Sequence, residues 1–205
     1  MTLKTKCLSA FWSLFIILGF TNHPVENQSE YPKTVKAFAL RNIDNKMVGL
    51  EQYKNAKGFI VIFTCNHCPF AKLYTKRLNQ LNRKYMKKGV PLLAVNTMDS
   101  LLYKEETFEM MQEMAKKEKY NFPYLQDATQ AVGKDFNAEH TPKAYVIWKE
   151  ENSWVIKYEG AIDNDGENPR KAKSYIAEAT DQLLKGQLVT LPKTESFGCR
   201  IFYRK

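Results

Sequence analysis

Two cysteines three positions apart are the residues of this chain whose type and spacing could carry chemistry. Cys65 and Cys68 lie in the segment 58–70, GFIVIFTCNHCPF, at the end of a run of β-forming residues. At a helix N-terminus such a pair can close a disulfide with little backbone movement, and free N–H groups and the helix dipole stabilise a thiolate at the first cysteine. His67 could add a positive charge or a hydrogen bond to the Cys65 sulfur, which would make the disulfide a stronger oxidant. The pattern predicts a redox couple.

Metal binding is an alternative interpretation of the same cysteines. A structural zinc needs four compactly arranged ligands, but the chain has three histidines and no second C-x-x-C. Two thiolates and an imidazole suit Cu(I), so a copper site would use Cys65 and Cys68 with His140 as third ligand. A further interpretation is that the cysteines are buried and inert.

The N-terminal residues predict export. Two lysines precede thirteen almost wholly apolar residues at 8–20, too few for a spanning helix and typical of a secretory signal peptide. We expect a signal peptide at residues 1–21, with an uncleaved membrane anchor as the alternative. A polar linker at 22–34 and one domain at 35–205 would follow, and the protein would reside in the periplasm or cell envelope of a bacterium.

Export would leave three cysteines in the mature chain, Cys65, Cys68 and Cys199. An odd number in an oxidising compartment indicates a free or redox-active thiol rather than a disulfide framework. Cys199 is then either a packing residue or a third redox thiol.

The charge of the chain indicates no nucleic-acid function. The net charge is +9, but the 31 Lys and Arg residues are scattered through helical patterns. Basic residues do not alternate with aromatic ones as in a nucleic-acid groove. We expect no nucleic-acid partner, and membrane contact only through an uncleaved N-terminal segment.

The hydrophobic pattern predicts an α/β domain. A hairpin with its turn at 44–46 is followed by a buried strand at 59–64, a helix ending near Gly89 and a second buried strand, which together form a βαβ unit. Two helices, an antiparallel strand pair and a helix beginning near Pro169 complete the order. This order predicts helices flanking a mixed central sheet.

Several segments together resemble a known family. They are FTCNHCPF, GVPLLAVNTMDS, FPYLQDATQAVGKDF, HTPKAYVIW, YEGAIDND and GCRIF, and they span residues 35–202. In combination they resemble thioredoxin-like proteins of the redoxin or AhpC/TSA superfamily, in the subgroup with a C-N-H-C-P-[FY] motif. The resemblance implies a thioredoxin-like α/β sandwich with a mixed central sheet and an N-terminal β-hairpin.

The resemblance also implies roles for individual residues. Cys65 would be the exposed attacking thiol and Cys68 the resolving one, with His67 beside them. Pro142, preceded by a cis bond, would face the pair, and the Thr141 backbone would pair with an incoming peptide. Asn66 and Pro69 are also expected to contact substrate. No organic cofactor is implied beyond the redox-active Cys65–Cys68 disulfide, and the partners would be protein thiols or disulfides and an upstream redox protein.

The sequence departs from two relatives of this pattern. Thioredoxin has a buried Asp six residues before its first cysteine, where this chain has Phe59, so Glu51, Glu159 or a water would have to replace it as proton acceptor. Peroxiredoxins carry P-x-x-x-T-x-x-C, and this chain has Gly58 and Ile62 at those positions. We therefore expect a thiol–disulfide oxidoreductase. The alternatives are a copper-binding or metallochaperone module, a peroxiredoxin-like antioxidant protein, and a binding domain with a structural disulfide.

Overall fold

The computed structural model of the protein describes residues 33–205. The predicted signal peptide and nearly all of the predicted linker lie outside the described residues. Between residues 33 and 205, no helix has the length and apolar character needed to cross a membrane.

A mixed eight-stranded sheet forms the centre of the domain. Within the described residues the strands are β1 (Thr34–Val35), β2 (Ala39–Asn42), β3 (Met47–Gly49), β4 (Gly58–Phe63), β5 (Leu92–Asn96), β6 (Tyr124–Gln126), β7 (His140–Thr141), β8 (Lys143–Glu150), β9 (Ser153–Gly160) and β10 (Cys199–Arg200). The order in the large sheet is β1-β9-β8-β4-β5-β6-β2-β3, and β10 pairs with β7 in a separate two-stranded sheet. The predicted mixed sheet is confirmed.

Helices cover the sheet and connect its strands. They are α1 (Pro69–Lys72), α2 (Thr75–Tyr85), α3 (Phe108–Lys117), α4 (Ala131–Phe136) and α5 (Tyr175–Leu184), with short 3-10 turns at Leu50–Gln52, Met86–Lys88 and Lys104–Glu106. The chain leaves the turn that follows α2 at Gly89, in the left-handed conformation with φ 83°, which glycine adopts without the Cβ penalty. The predicted α/β sandwich is confirmed.

The strand that leads to the cysteines is buried on both faces. Every residue of β4 is buried, and successive side chains of a strand point to opposite faces of the sheet. Phe59, Val61 and Phe63 accordingly join one apolar cluster, while Ile60 and Ile62 join another. Each such side chain contributes about 1.5–3 kcal/mol through burial. Packing on both sides therefore fixes the position where β4 ends and the C-x-x-C segment begins.

The pairing of the central strands confirms the predicted connections. Ile60 of β4 pairs in parallel with Leu92 of β5, as expected for a βαβ unit. On its other side β4 pairs antiparallel with β8, and β8 pairs antiparallel with β9. The predicted N-terminal hairpin is present as β2 and β3.

The last helix begins later than the sequence indicates. The prediction started it near Pro169, but α5 begins at Tyr175, where the Ser174 hydroxyl accepts a hydrogen bond from the Ala177 N–H. The preceding residues form a loop instead, because Asp165 accepts hydrogen bonds from the N–H groups of Glu167 and Asn168. Local Asp-to-backbone bonding competes with helix formation at such positions.

Candidate active site

The two cysteines lie where β4 gives way to α1. Cys68 is the N-cap residue of α1, and Pro69 occupies the first helical position, where its missing N–H costs no hydrogen bond. Cys65, Cys68 and Cys199 are free thiols. The predicted exposure of Cys65 is wrong for this conformation, because both thiols are buried, Cys65 at 6% and Cys68 at 0% exposure. What a substrate can reach of the pair is the small exposed part of Cys65.

Thr141 lies opposite both cysteines. Its hydroxyl is 3.0 Å from the Cys65 sulfur, and its carbonyl oxygen is 3.2 Å from the Cys68 sulfur. The bond between Thr141 and Pro142 is cis, as the resemblance implied. The prediction that this segment faces the cysteines is thus consistent with the geometry.

A buried carboxylate that the sequence analysis missed organises the loop between the cysteines. Glu106 is 1% exposed and lies at the end of the 3-10 turn before α3. It accepts hydrogen bonds from the N–H groups of Asn66, at 3.0 Å, and His67, at 2.8 Å. The Asn96 side-chain amide donates a further bond at 2.6 Å. These two loop N–H groups therefore serve Glu106, whereas the Cys68 N–H still favours a thiolate on Cys65.

His67 contacts Glu106 and Tyr103 rather than making the expected hydrogen bond to Cys65. Its Nδ1 lies 2.7 Å from a Glu106 carboxylate oxygen. Its ring stacks on Tyr103 with centroids 4.3 Å apart and planes 10° from parallel. This placement makes His67 part of the loop's support.

The Asn66 side chain is buried and hydrogen-bonded within the protein. It is 4% exposed, its amide nitrogen donates to the Glu105 carbonyl at 2.6 Å, and its amide oxygen accepts from the Tyr124 hydroxyl at 3.0 Å. Both ends of the side-chain amide are bonded within the protein, so the Asn66 side chain has no free polar atom for the predicted substrate contact in this conformation. Pro69, by contrast, is exposed.

In the reduced pair, hydrogen bonding lowers the pKa of Cys68 and raises that of Cys65. A hydrogen bond from Cys65 lowers the pKa of Cys68 to about 4, against the effect of burial, and further donors are the Cys199 thiol and the Ala71 N–H. The pKa of Cys65 is raised by its hydrogen bond to Cys68, by burial and by the negative charge of Glu106. The Thr141 carbonyl favours a protonated Cys68, but it is one acceptor against several donors. The Cys68 thiol, burial and Glu106 thus oppose the expected thiolate at Cys65, whereas the Thr141 hydroxyl and the Cys68 N–H favour it. The thiolate at Cys65 stays a prediction.

The C-terminal segment occupies the strand edge expected to receive a peptide. Cys199 of β10 lies opposite Thr141 of β7 in antiparallel register. The pairing continues where the Ile201 N–H donates to the Glu139 carbonyl at 2.8 Å. Gly198 permits this approach, since a Cβ there would lie 1.8 Å from the Thr141 carbonyl oxygen. A peptide that used the same backbone groups would have to displace β10.

The possible metal ligands form a different set from the one predicted. Among the described residues, Cys65, His67 and Glu106 place their ligating atoms within 4.8 Å of one another. His140 instead has its Nε2 2.9 Å from the Ser196 hydroxyl. Copper binding by Cys65, Cys68 and His140 stays a prediction.

Neither carboxylate named as a stand-in proton acceptor takes the place of the missing Asp. Glu51 is exposed on a 3-10 turn, and Glu159 pairs with Lys193 at 3.0 Å. Phe59 fills its position with an aromatic ring, 5.0 Å from Trp154 between centroids. The buried carboxylate next to the cysteines is Glu106.

An apolar groove adjoins the site. Phe70, Leu73 and Phe197 are 50%, 44% and 76% exposed, and with Pro142 they line a cavity of about 230 Å³. Phe70 follows Cys68 by two residues, so this apolar surface is continuous with the C-x-x-C segment.

Comparison with known proteins identifies the family. Residues 32–164 match the AhpC/TSA family, and the chain belongs to it. A solved structure of an uncharacterized conserved protein from Geobacillus kaustophilus is 35% identical, covers 87% of this chain and 94% of its own, and superimposes with a TM-score of 0.77. Family membership supports an oxidoreductase function in general terms.

Two further comparisons concern the fold and a named relative. A putative thiol:disulfide interchange protein from Chlorobium tepidum, 18% identical, covers 61% of this chain and 81% of its own with a TM-score of 0.51. This likeness concerns the fold, and it confirms the thioredoxin-like architecture. A probable glutathione peroxidase from Arabidopsis thaliana is 27% identical over 129 residues, which are 62% of this chain and 72% of that protein.

Proposed function

We propose that the protein is a thiol–disulfide oxidoreductase that acts on protein thiols and disulfides through the Cys65–Cys68 couple. The observation that carries the proposal is the arrangement of the two thiols. They lie three residues apart where β4 gives way to α1, only Cys65 of the pair has any exposed surface, and Thr141 contacts both sulfurs. Disulfide exchange needs an attacking thiol that a substrate can reach and a resolving thiol next to it, and Cys65 is the more accessible of the two.

Proton transfer between the cysteines would start the reaction. As the Cys65 sulfur attacks a substrate disulfide, its proton passes along the hydrogen bond to Cys68. A Cys65–substrate disulfide forms, and the electron pair of the broken S–S bond leaves on the first substrate sulfur, which takes the proton from Cys68 and restores the Cys68 thiolate. The Cys68 thiolate then attacks the Cys65 sulfur, closes the Cys65–Cys68 disulfide and releases the second substrate thiol. Two electrons pass to the substrate, together with one proton from Cys65 and one from the solvent, and the reverse sequence oxidises a dithiol.

Glu106 would lower the reactivity of Cys65 while no substrate is bound. Its charge disfavours a thiolate on Cys65, so the pair keeps its charge on the inaccessible Cys68 until a substrate arrives. Its hydrogen bonds to the Asn66 and His67 backbone hold the loop that presents Cys65.

The substrate would be a polypeptide, and the reaction would take place in the cell envelope. The exposed apolar side chains of Phe70, Leu73 and Phe197 beside the cysteines are suited to an unfolded or extended segment. The signal-like N-terminal sequence supports export. An upstream thiol or disulfide protein would restore the pair, without an organic cofactor.

Trapping of a mixed disulfide tests the proposal. Cys68→Ser removes the resolving thiol, so the reduced variant should accumulate a covalent complex with insulin, visible on a non-reducing gel and released by dithiothreitol. Both variants also carry Cys199→Ser, which removes the partly exposed third thiol. Cys65→Ser is the matched control and should form no complex, because Cys68 is buried. Absence of a complex with folded Cys68→Ser, or equal complexes with both variants, would refute the assignment of Cys65 as the attacking thiol.

Peroxide reduction is a second candidate, favoured only by the similarity to the probable glutathione peroxidase. If it is the main activity, hydrogen peroxide will be consumed with dithiothreitol as donor faster than insulin is reduced. For the copper alternative, Cu(I) titration of the reduced protein should give tight binding that is lost in His140→Ala. We expect neither result.

A further inference from the structure

Three cysteine sulfurs, rather than two, meet at the site. Cys199 lies opposite Thr141, whose carbonyl oxygen is 3.2 Å from the Cys68 sulfur. The Cys65 and Cys199 thiols both lower the pKa of Cys68. Cys199 also packs against the apolar cluster that contains both other cysteines. All three cysteines therefore adjoin Thr141, and Cys68 is the one whose ionisation both others affect.

The position of Cys199 is fixed by backbone as well as side-chain contacts. Its strand β10 pairs with β7 in register with Thr141, the residue that touches the other two sulfurs. The residue before it is Gly198, whose missing Cβ allows the close crossing at the Thr141 carbonyl. The C-terminal segment thus delivers this thiol to Cys68 in the position where an incoming peptide was expected.

We propose that Cys199 is a third redox thiol, and that the disulfide of the oxidised protein exchanges between Cys65–Cys68 and Cys68–Cys199. The inference rests on the proposed oxidoreductase function. The Cys199 thiolate attacks the Cys68 sulfur, the Cys65–Cys68 bond breaks, and its electron pair leaves on Cys65, which accepts the proton that Cys199 has released. The step is an isomerisation and consumes no oxidant or reductant.

The exchange would let the reaction with the substrate and the reaction with the donor dithiol take place at different cysteines. It releases Cys65 as a free thiol, which can react with the next substrate, while the protein remains oxidised as the Cys68–Cys199 disulfide. Cys199 is partly exposed whereas Cys68 is fully buried, so a donor dithiol can reach the second disulfide at Cys199. The protein would then take up electrons on one side of Cys68 and deliver them on the other.

Tryptic peptides distinguish the two disulfides. The Cys65–Cys68 disulfide lies within peptide 58–72, whereas a Cys68–Cys199 disulfide links that peptide to peptide 194–200. The full-length protein is equilibrated in glutathione buffers of different redox ratio, quenched with acid and iodoacetamide, digested and analysed by mass spectrometry. Cys7 falls in a separate peptide, so its links are counted apart.

Wild type and three variants decide the question. We expect wild type to contain both disulfides in a ratio that does not change with the glutathione ratio, because their exchange is an isomerisation. In Cys65→Ser the cross-link between the peptides should form in most molecules, and in Cys68→Ser and Cys199→Ser the Cys68–Cys199 link should be absent.

The results that would refute the third redox thiol differ from the result that would refute the proposed function. If wild type forms the disulfide within peptide 58–72 but Cys65→Ser leaves Cys199 freely alkylated, the third redox thiol is refuted and the oxidoreductase proposal stands. A wild-type cross-link whose share varies with the glutathione ratio would likewise overturn the exchange. If no disulfide forms within peptide 58–72 at any ratio, the proposed function itself fails.

Discussion

Replacement of Glu106 by glutamine should make Cys65 more reactive. The carboxylate lies within 4.8 Å of the Cys65 sulfur, and its charge is one of the causes that raise the pKa of Cys65. Glutamine has nearly the same size and keeps one oxygen that can accept from the loop N–H groups. The variant therefore removes a negative charge while it leaves most of the loop's support in place.

Coulomb's law gives the size of the effect. At 4.8 Å and an effective dielectric constant of about 20, the interaction is about 3.5 kcal/mol, equivalent to about 2.5 pKa units. The N–H groups that bond to Glu106 disperse part of its charge, so we expect the pKa of Cys65 to fall by about 1 to 2.5 units. Lower basicity also weakens the nucleophile, with a Brønsted coefficient of about 0.45, so alkylation should accelerate by about 4-fold to about 25-fold.

The assay is the rate of iodoacetamide labelling of the reduced protein at pH 7, with fragment spectra to assign the label to Cys65. Glu105→Gln is the matched control, since it removes an exposed charge one residue earlier and should leave the rate unchanged. A folded Glu106→Gln protein with an unchanged or slower rate would refute the electrostatic role of Glu106, and so would an equal acceleration in Glu105→Gln.

Three other predictions follow from the same contacts. The pKa of Cys68 near 4 means that its ionisation stabilises the reduced protein fully above pH of about 9, and that this stabilisation is lost as the pH falls towards 4. The reduction potential should therefore fall by about 30 mV per pH unit between pH 5 and 8. If both thiols were protonated, it would fall by about 59 mV per pH unit. Gly198→Ala would set a Cβ 1.8 Å from the Thr141 carbonyl oxygen, so β10 should detach and unfolding by urea should show a loss of about 1–3 kcal/mol. Asp163→Asn leaves the buried Arg77 guanidinium without its carboxylate and should cost about 3–5 kcal/mol in the same measurement.

Each of these has a result that would contradict it. A slope near 59 mV per pH unit would mean that neither cysteine is ionised in the reduced protein. Unchanged urea unfolding of Gly198→Ala would mean that β10 is not held against β7. Equal effects of Asp163→Asn and Asp165→Asn would contradict the special role of the ion pair, because Asp165 lies in the same loop and its side chain accepts only local hydrogen bonds at 2.9–3.0 Å.

The sequence predicted the sheet well because its strands follow simple burial rules. Residues 59–63 are continuously apolar, and a strand buried on both faces produces that pattern. The hairpin and the βαβ unit could be predicted for similar reasons. The start of α5 could not, because the outcome depended on Asp165 binding its neighbours' N–H groups rather than on any periodic pattern.

The candidate site was only partly predictable. The spacing of Cys65 and Cys68 marks the redox pair, but nothing local distinguishes Glu106 from the exposed Glu105 beside it. The assignment of Glu106 to the site depends on the tertiary fold, which brings a loop about 40 residues away in sequence onto Asn66 and His67. The role of Cys199 could not be predicted for the same reason, since its strand has two residues and no period to detect.

The reversible chemistry of Cys65 and Cys68 is the central claim, and its reduction potential is the most direct test. The full-length protein is equilibrated with glutathione, and the disulfide within peptide 58–72 is quantified after thiol trapping. We predict one reversible two-electron transition between about −120 mV, the value of a strong disulfide donor, and about −270 mV, the value of thioredoxin. Two cysteines that remain free thiols across the whole range would contradict the account.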